Sequence, residues 1–253
     1  MKKKRLNNTA ASYYRDMLKL LKDYKADVDR ELVPLVKRLA PETPIVQDSW
    51  IESITAVLDR LRAKWEGQTG KFRAIASKFV RLGYNNTRKS IEVKIDMYGE
   101  SQRMREYLDA AVAQNVSLIK SIGVDYHDQV TNAIIGNMRQ GMRSSKIIEE
   151  LSKQYGIRER HARFIARDQT AKAQGELARV RQLDVGYEYF KWETSRDERV
   201  RDEHHKLANQ DVGYGKGVYR WDDLPEVDGK PLYPGSDYQC RCTARPVRNI
   251  KAT

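Results

Sequence analysis

At Gly186 the hydrophobic pattern of this chain changes period, and that change limits the fold more than any other feature. Upstream, apolar residues recur at steps of three and four, as on helices that bury one face. Tyr13, Tyr14, Met17, Leu18, Leu21, Tyr24, Val28, Leu32, Leu35, Val36 and Leu39 form one such series, and Ile51, Ile54, Val57, Leu58, Leu61 and Trp65 form another. Downstream, Tyr187–Thr194 alternates and is rich in aromatics, as a strand is. Val218–Trp221 reads as a second strand and Cys242–Val247 as a third, placed at a sheet edge by Pro246. Dense glycine and proline separate these runs. The expected fold class is a mainly α N-terminal helical region followed by a small α+β module of short strands and long loops.

The helical part subdivides at its breakers. Residues 1–11 read as a flexible basic arm, and residues 12–140 as a helical domain. Residues 141–186 read as basic helices leading into the strand-and-loop module, 187–253. The first helix, from Ser12, carries Pro34 as a candidate kink, and Pro41 to Pro44 breaks the chain. Ser49 and Glu52 form a capping-box pair before the second helix. Gly67 and Gly70 end that helix, and Gly83 stops a third. Residues 84–99 fit either a helix or, through Ile91, Val93 and Ile95, a strand; helix is the assignment here. Ser101 opens the next helix, with Gly123 as its stop, and a further helix spans 125–139. A short helix from Ser144 or Ser145 ends at Gly156, and a long one, 158–183, closes at Gly186.

The net charge of +12 is unevenly placed. From Lys191 onward twelve Lys/Arg face eleven Asp/Glu, so nearly all the excess lies in the helices. Such a field favours acidic partners, nucleic acid among them. Arg139, Arg143, Lys146, Arg158, Arg163 and Arg167 are the candidate DNA contacts. Asn7, Asn8, Thr9 and Ser12 stand where a secretory signal needs an apolar run. No stretch reaches the roughly 20 apolar residues of a membrane span, so no membrane partner is expected. Two cysteines one residue apart make no disulfide framework and suit a reducing cytosol.

The chemistry-bearing types gather after Gly186. Trp192-x-Thr194-Ser195-x-Asp197-x-Arg199-Val200-Arg201-x-x-His204 is followed by Pro234-Gly235 and Cys240-Arg241-Cys242. Residues two apart in a strand share a face, so Cys240 and Cys242 can offer two sulfurs together. His204 can add a nitrogen, and Asp197, His205 or Asp237 a fourth donor, a set that zinc accepts. The other reading has both cysteines packed as small apolar residues and His204 hydrogen-bonded to backbone or to Asp197. Arg199 and Arg201, beside Asp197, Asp202 and Glu203, read as an internal salt-bridge cluster in preference to phosphate contacts, and Trp192 and Trp221 as core in preference to stacking platforms.

These residues, with the preceding Ile165–Arg179 helix, resemble the signature of the phage Mu F-like head morphogenesis family, the minor head proteins of tailed phages. The resemblance covers about residues 145–248. In many relatives a Cys-x-x-Cys follows the aspartate and a histidine precedes the final Cys-x-Cys; here Arg201, His204 and Asp237 stand in those places, which weakens the zinc motif. The resemblance implies a structural virion component, made in the host cytoplasm and located in the head near the portal vertex. Its implied partners are the portal protein, the major capsid protein and packaged double-stranded DNA, with no small-molecule substrate and no enzymatic activity. Two alternatives remain: a metal-dependent nuclease of His-Asn-His or His-Cys type, built on His204, His205 and Asn209, and a non-specific DNA-binding protein. No histidine follows His205, which disfavours the nuclease.

Overall fold

The computed structural model describes residues 7–40, 50–90 and 101–248. Five helices come first: α1 (Asn8–Leu39), α2 (Trp50–Glu66), α3 (Thr69–Ser90), α4 (Gln102–Arg139) and α5 (Ser144–Asp184). The module follows as β1 (Tyr189–Glu193), α6 (Asp202–Asn209), β2 (Val218–Arg220), β3 (Glu226–Val227), β4 (Lys230–Pro231) and β5 (Thr243–Val247). The fold class is as expected, a mostly helical N-terminal region and a small C-terminal sheet module. Among the described residues no helix is long and apolar enough to cross a membrane. The expected break at Pro41–Pro44, the Ser49 half of the capping box and residues 91–99 of the ambiguous segment lie outside the described residues.

Several helix boundaries differ from expectation. The helix assigned from Ser12 begins at Asn8, so the end of the presumed basic arm is helical. Asn7 is its N-cap, its Oδ1 accepting from the Ala10 N–H at 2.8 Å, which satisfies one of the free donors of a first turn. Gly83, Gly123 and Gly156 do not stop helices; α3, α4 and α5 run through them. Gly123 has a packing reason. A Cβ there would lie 1.9 Å from the Trp65 ring, so the helix backbone itself is the surface on which the indole rests. Genuine stops look different. Gly141 and Gly186 have φ of 68° and 78°. At both, the glycine N–H reaches back three residues and the next N–H reaches back five (Met142 to Asn137, Tyr187 to Gln182), the Schellman pattern of a left-handed helix end.

The chain forms two compact units. One contains Ala11–Ser77 and Val112–Ala166, and is all helix where described. Its core holds Tyr24, Trp65, Phe72 and Tyr126, with the Trp65 ring 5.3 Å from that of Tyr24 and 5.1 Å from that of Phe72. The Trp65 indole N–H donates to the Lys120 carbonyl at 3.0 Å, so its polar edge is satisfied as the ring is buried. His127 is buried against the Tyr24 hydroxyl at 2.7 Å.

The other unit contains Met1–Ala10, Lys78–Ala111 and Arg167–Thr253. Its antiparallel sheet has the order β2-β1-β5, so β1 is central, paired with Val218–Arg220 on one side and Thr243–Val247 on the other. Pro246 does fall on an edge strand. Phe190, Trp192, Tyr219 and Trp221 pack with Leu207 of α6 and both cysteines in one cluster. The C-terminal part of α5 backs this module. The buried Gln182 amide donates to the Ala244 carbonyl at 2.9 Å, and its oxygen accepts from the Trp221 indole at 3.2 Å. Gly175 lets the helix touch the Pro234-Gly235 turn directly: a Cβ would lie 2.5 Å from the Pro234 carbonyl oxygen.

Candidate metal centre

Each donor of the site is positioned by a different local device. His204 sits in the first turn of α6, whose Asp202 and Glu203 suit the positive end of the helix dipole. That acid-first, Lys206-last pattern was a legible helix signal that the alternation argument passed over. Cys240 and Cys242 are not in a strand as expected; they lie in the loop just before β5. Gln239 takes φ 53°, a strained value for a residue with a Cβ. Its N–H is held by the buried Asp168 of α5 at 2.8 Å. The turn, rather than strand alternation, brings the sulfurs together, and the Cys242 N–H lies 3.4 Å from the Cys240 sulfur.

The three side chains converge. His204 Nδ1 lies 3.7 Å from Cys240 Sγ and 3.6 Å from Cys242 Sγ. All three residues are buried, and their donor atoms lie within 4.8 Å of one another. Zinc–sulfur and zinc–nitrogen bonds of about 2.3 and 2.0–2.1 Å at a tetrahedral angle put sulfur and nitrogen about 3.5 Å apart. The observed separations match that edge, so the grouping can hold a metal ion. The other ring nitrogen, Nε2, lies 3.4 Å from Asp237 Oδ2, the carboxylate–histidine arrangement that fixes which nitrogen faces a metal. Asp237 is anchored in turn by Arg201 at 2.5 Å.

The electrostatics agree with a thiolate site. The Cys240 thiol is pushed well below its usual range, first by the hydrogen bond from Cys242 and, against burial, by His204. Cys242 is pushed up because it shares its proton with that neighbour and is buried. One sulfur is thus poised as a thiolate, and a cation can replace the proton on the other. The buried Trp192 indole N–H has no nitrogen or oxygen acceptor and favours the Cys242 thiolate. Neither cysteine forms a disulfide.

The remaining sequence candidates are distributed as follows. Asp197 is not part of the cluster; its carboxylate takes both terminal nitrogens of Arg241. His205 is exposed on the other side of α6. Arg199 is exposed, and its backbone N–H donates to Asp197 Oδ1 at 3.0 Å. Of the candidate DNA contacts, Arg139, Arg143 and Lys146 are exposed, and Lys146 pairs with Glu149 at 2.9 Å. Arg158 pairs with Asp125 at 3.2 Å, and Arg163 covers the Tyr14 ring. Arg167 belongs to the other unit, where it lines a cavity beside the cysteines. Sequence reasoning missed Asp168, Gln182 and Arg241, whose roles are contacts between segments far apart in the chain.

Residues 128–245 match the model of the family described as Phage Mu protein F like protein. This part of the chain is similar to the Mu F-like family. The matched span runs from α4 through α5 to β5, and so contains His204, Cys240, Cys242 and the helix residues that position them. An uncharacterized protein of Haemophilus influenzae is 31% identical over 250 residues, covering 93% of this chain. The chain spans about half, 52%, of that relative's length. No solved structure matches.

Proposed function

We propose that this chain is a structural component of a phage head, a minor head protein acting in head assembly, genome packaging or DNA ejection, and that its C-terminal module is held together by zinc. The observation that carries the reading is the Mu F-like match across the whole site-bearing region. The uses of the signature residues support it. Trp192 fills the core, Asp197 holds Arg241, Arg201 holds Asp237, and His204 meets the two sulfurs. The last three of these contacts tie separate segments of the module together, as a scaffold requires.

In this reading His204, Cys240 and Cys242 are the protein ligands, and Asp237 orients the histidine from outside the ligand set. Bound zinc would cross-link α6 to the loop before β5 in a module whose own core is small. The portal protein and the major capsid protein are the proposed partners, packaged DNA a third, and the head near the portal vertex the proposed location. Mass spectrometry of purified virions, followed by a localised reconstruction of the portal vertex, tests this. The chain should be present in few copies beside the portal. Its absence from virions, or metal-dependent DNA cleavage lost in His204→Ala, would replace the structural reading with the nuclease.

A further inference from the structure

Beside the cysteine loop lies a cavity of about 1220 Å³, larger than the roughly 300–1,000 Å³ of small-ligand pockets. Six arginines line it: Arg167, Arg199, Arg201, Arg241, Arg245 and Arg248. Among the described residues, no aspartate or glutamate lines it. Carboxylates hold at least three of the six, Asp197 on Arg241, Asp237 on Arg201 and Glu193 on Arg245, but those acids stand outside the lining. Positive charge is therefore gathered on one concave wall of a module that is close to neutral in sum.

Several of these side chains are already fixed in place. Arg248 stacks 5.3 Å from the Tyr187 ring centroid, and its Nε donates to the Tyr187 hydroxyl at 2.7 Å. Arg201 donates to the Tyr238 carbonyl at 2.7 Å as well as to Asp237. A guanidinium that is held before binding loses less conformational freedom when a ligand arrives. Adding a β-strand to the sheet is not the natural way to fill this space. At the edge, Pro246 offers no N–H, and the Ala244 carbonyl is taken by Gln182.

We infer that this cavity is a docking site for an acidic polypeptide segment. Arginine forks pair two-pronged with carboxylates, and the chain displays that pairing itself where Arg241 takes both oxygens of Asp197. Acid-rich segments are recognised by arginine clusters of this kind. A nucleic-acid strand fits less well. Single-strand sites rely on aromatic platforms for the bases. Among the described residues Tyr187 is the only Phe, Tyr or Trp of this lining, and its ring carries Arg248. The inference stands on the cavity alone and depends on neither the zinc nor the head assignment.

The test is fluorescence anisotropy of fluorescein-labelled octaglutamate with the full chain. The cavity variant is Arg199→Gln with Arg248→Gln, both exposed positions that leave the core untouched. The control is Arg139→Gln with Lys146→Gln, which removes the same charge from the other unit. Octaglutamate should bind the wild type, bind the cavity variant at least about tenfold more weakly, and bind the control within about twofold of wild type. Arg245→Gln serves as a second cavity variant if thermal unfolding of the first departs from wild type. No binding, or equal loss in cavity variant and control, overturns the inference. Tighter binding of a 20-residue oligothymidylate that is lost in the cavity variant overturns it in favour of a nucleic-acid site.

Discussion

Two of the hydrophobic cores among the described residues are made by different means. In the all-helical unit, Tyr24, Trp65, Phe72 and Tyr126 stack side chain on side chain, and a helix comes close enough at Gly123 to carry the Trp65 ring on its backbone. In the other unit, the sheet contributes only three short strands, and its cluster mixes four aromatics with two cysteines. That module is secured by single contacts: Gln182 to β5, Asp168 to Gln239, Gly175 against Pro234, and His204 between two sulfurs. The contrast follows from size. A helix of 30 or more residues brings a long apolar stripe, whereas strands of three to five residues bury too little to offset the entropy of ordering their loops. The first core should weaken in proportion to the apolar volume removed, and the second should depend on a few individual atoms.

The largest expected effect is in the helical unit. Trp65→Ala should destabilise the protein by about 3–5 kcal/mol in chemical denaturation, through the lost burial and the cavity left behind. A loss below about 1 kcal/mol would mean that the tryptophan is not the centre of that core. Next come the close-approach glycines. Gly123→Ala and Gly175→Ala should each cost about 1–3 kcal/mol by overpacking, even though alanine favours a helix by about 1 kcal/mol. Gly136→Ala is the comparison. A Cβ there meets nothing within 4 Å, so that change should stabilise by up to about 1 kcal/mol. Loss of stability at all three glycines would show that the close contacts are not the cause.

The smallest effect concerns pH. Burial holds the His127 imidazole below its ordinary value of 6.5. The unfolded chain therefore binds a proton that the folded unit does not. Its contribution is complete above about pH 6.5 and is lost as pH falls through the depressed folded value. Lowering the pH from 7.5 to 5.5 should reduce the unfolding temperature more in wild type than in His127→Gln. Equal reductions would remove His127 from the account.

The fold class, the switch at Gly186 and the three-stranded sheet were legible in sequence because each rests on a local period or a glycine at a helix end. Glycine itself was ambiguous. Gly186 and Gly123 are the same letter, but one supplies a positive φ and the other a missing Cβ, and only the partner, Trp65, distinguishes them. At the site, residue types and order pointed to His204, Cys240 and Cys242. The roles of Asp197 and Asp237 were not legible, since two loops decide which aspartate meets the histidine and which meets Arg241. Asp168 and Gln182 carried no local signal, since each acts across 60 or more residues of chain.

The central claim is that a metal at His204, Cys240 and Cys242 holds the C-terminal module. The most direct measurement is elemental analysis of natively purified protein, with amide hydrogen exchange before and after a chelator. About one zinc per chain is predicted, with substantially less in Cys240→Ser and His204→Ala. Removing the metal should speed exchange in β1, α6 and β5 while the helical unit around Trp65 keeps its protection. Metal-free native protein in which both cysteines react readily with thiol reagents, with exchange in the module unchanged by the chelator, would contradict the claim.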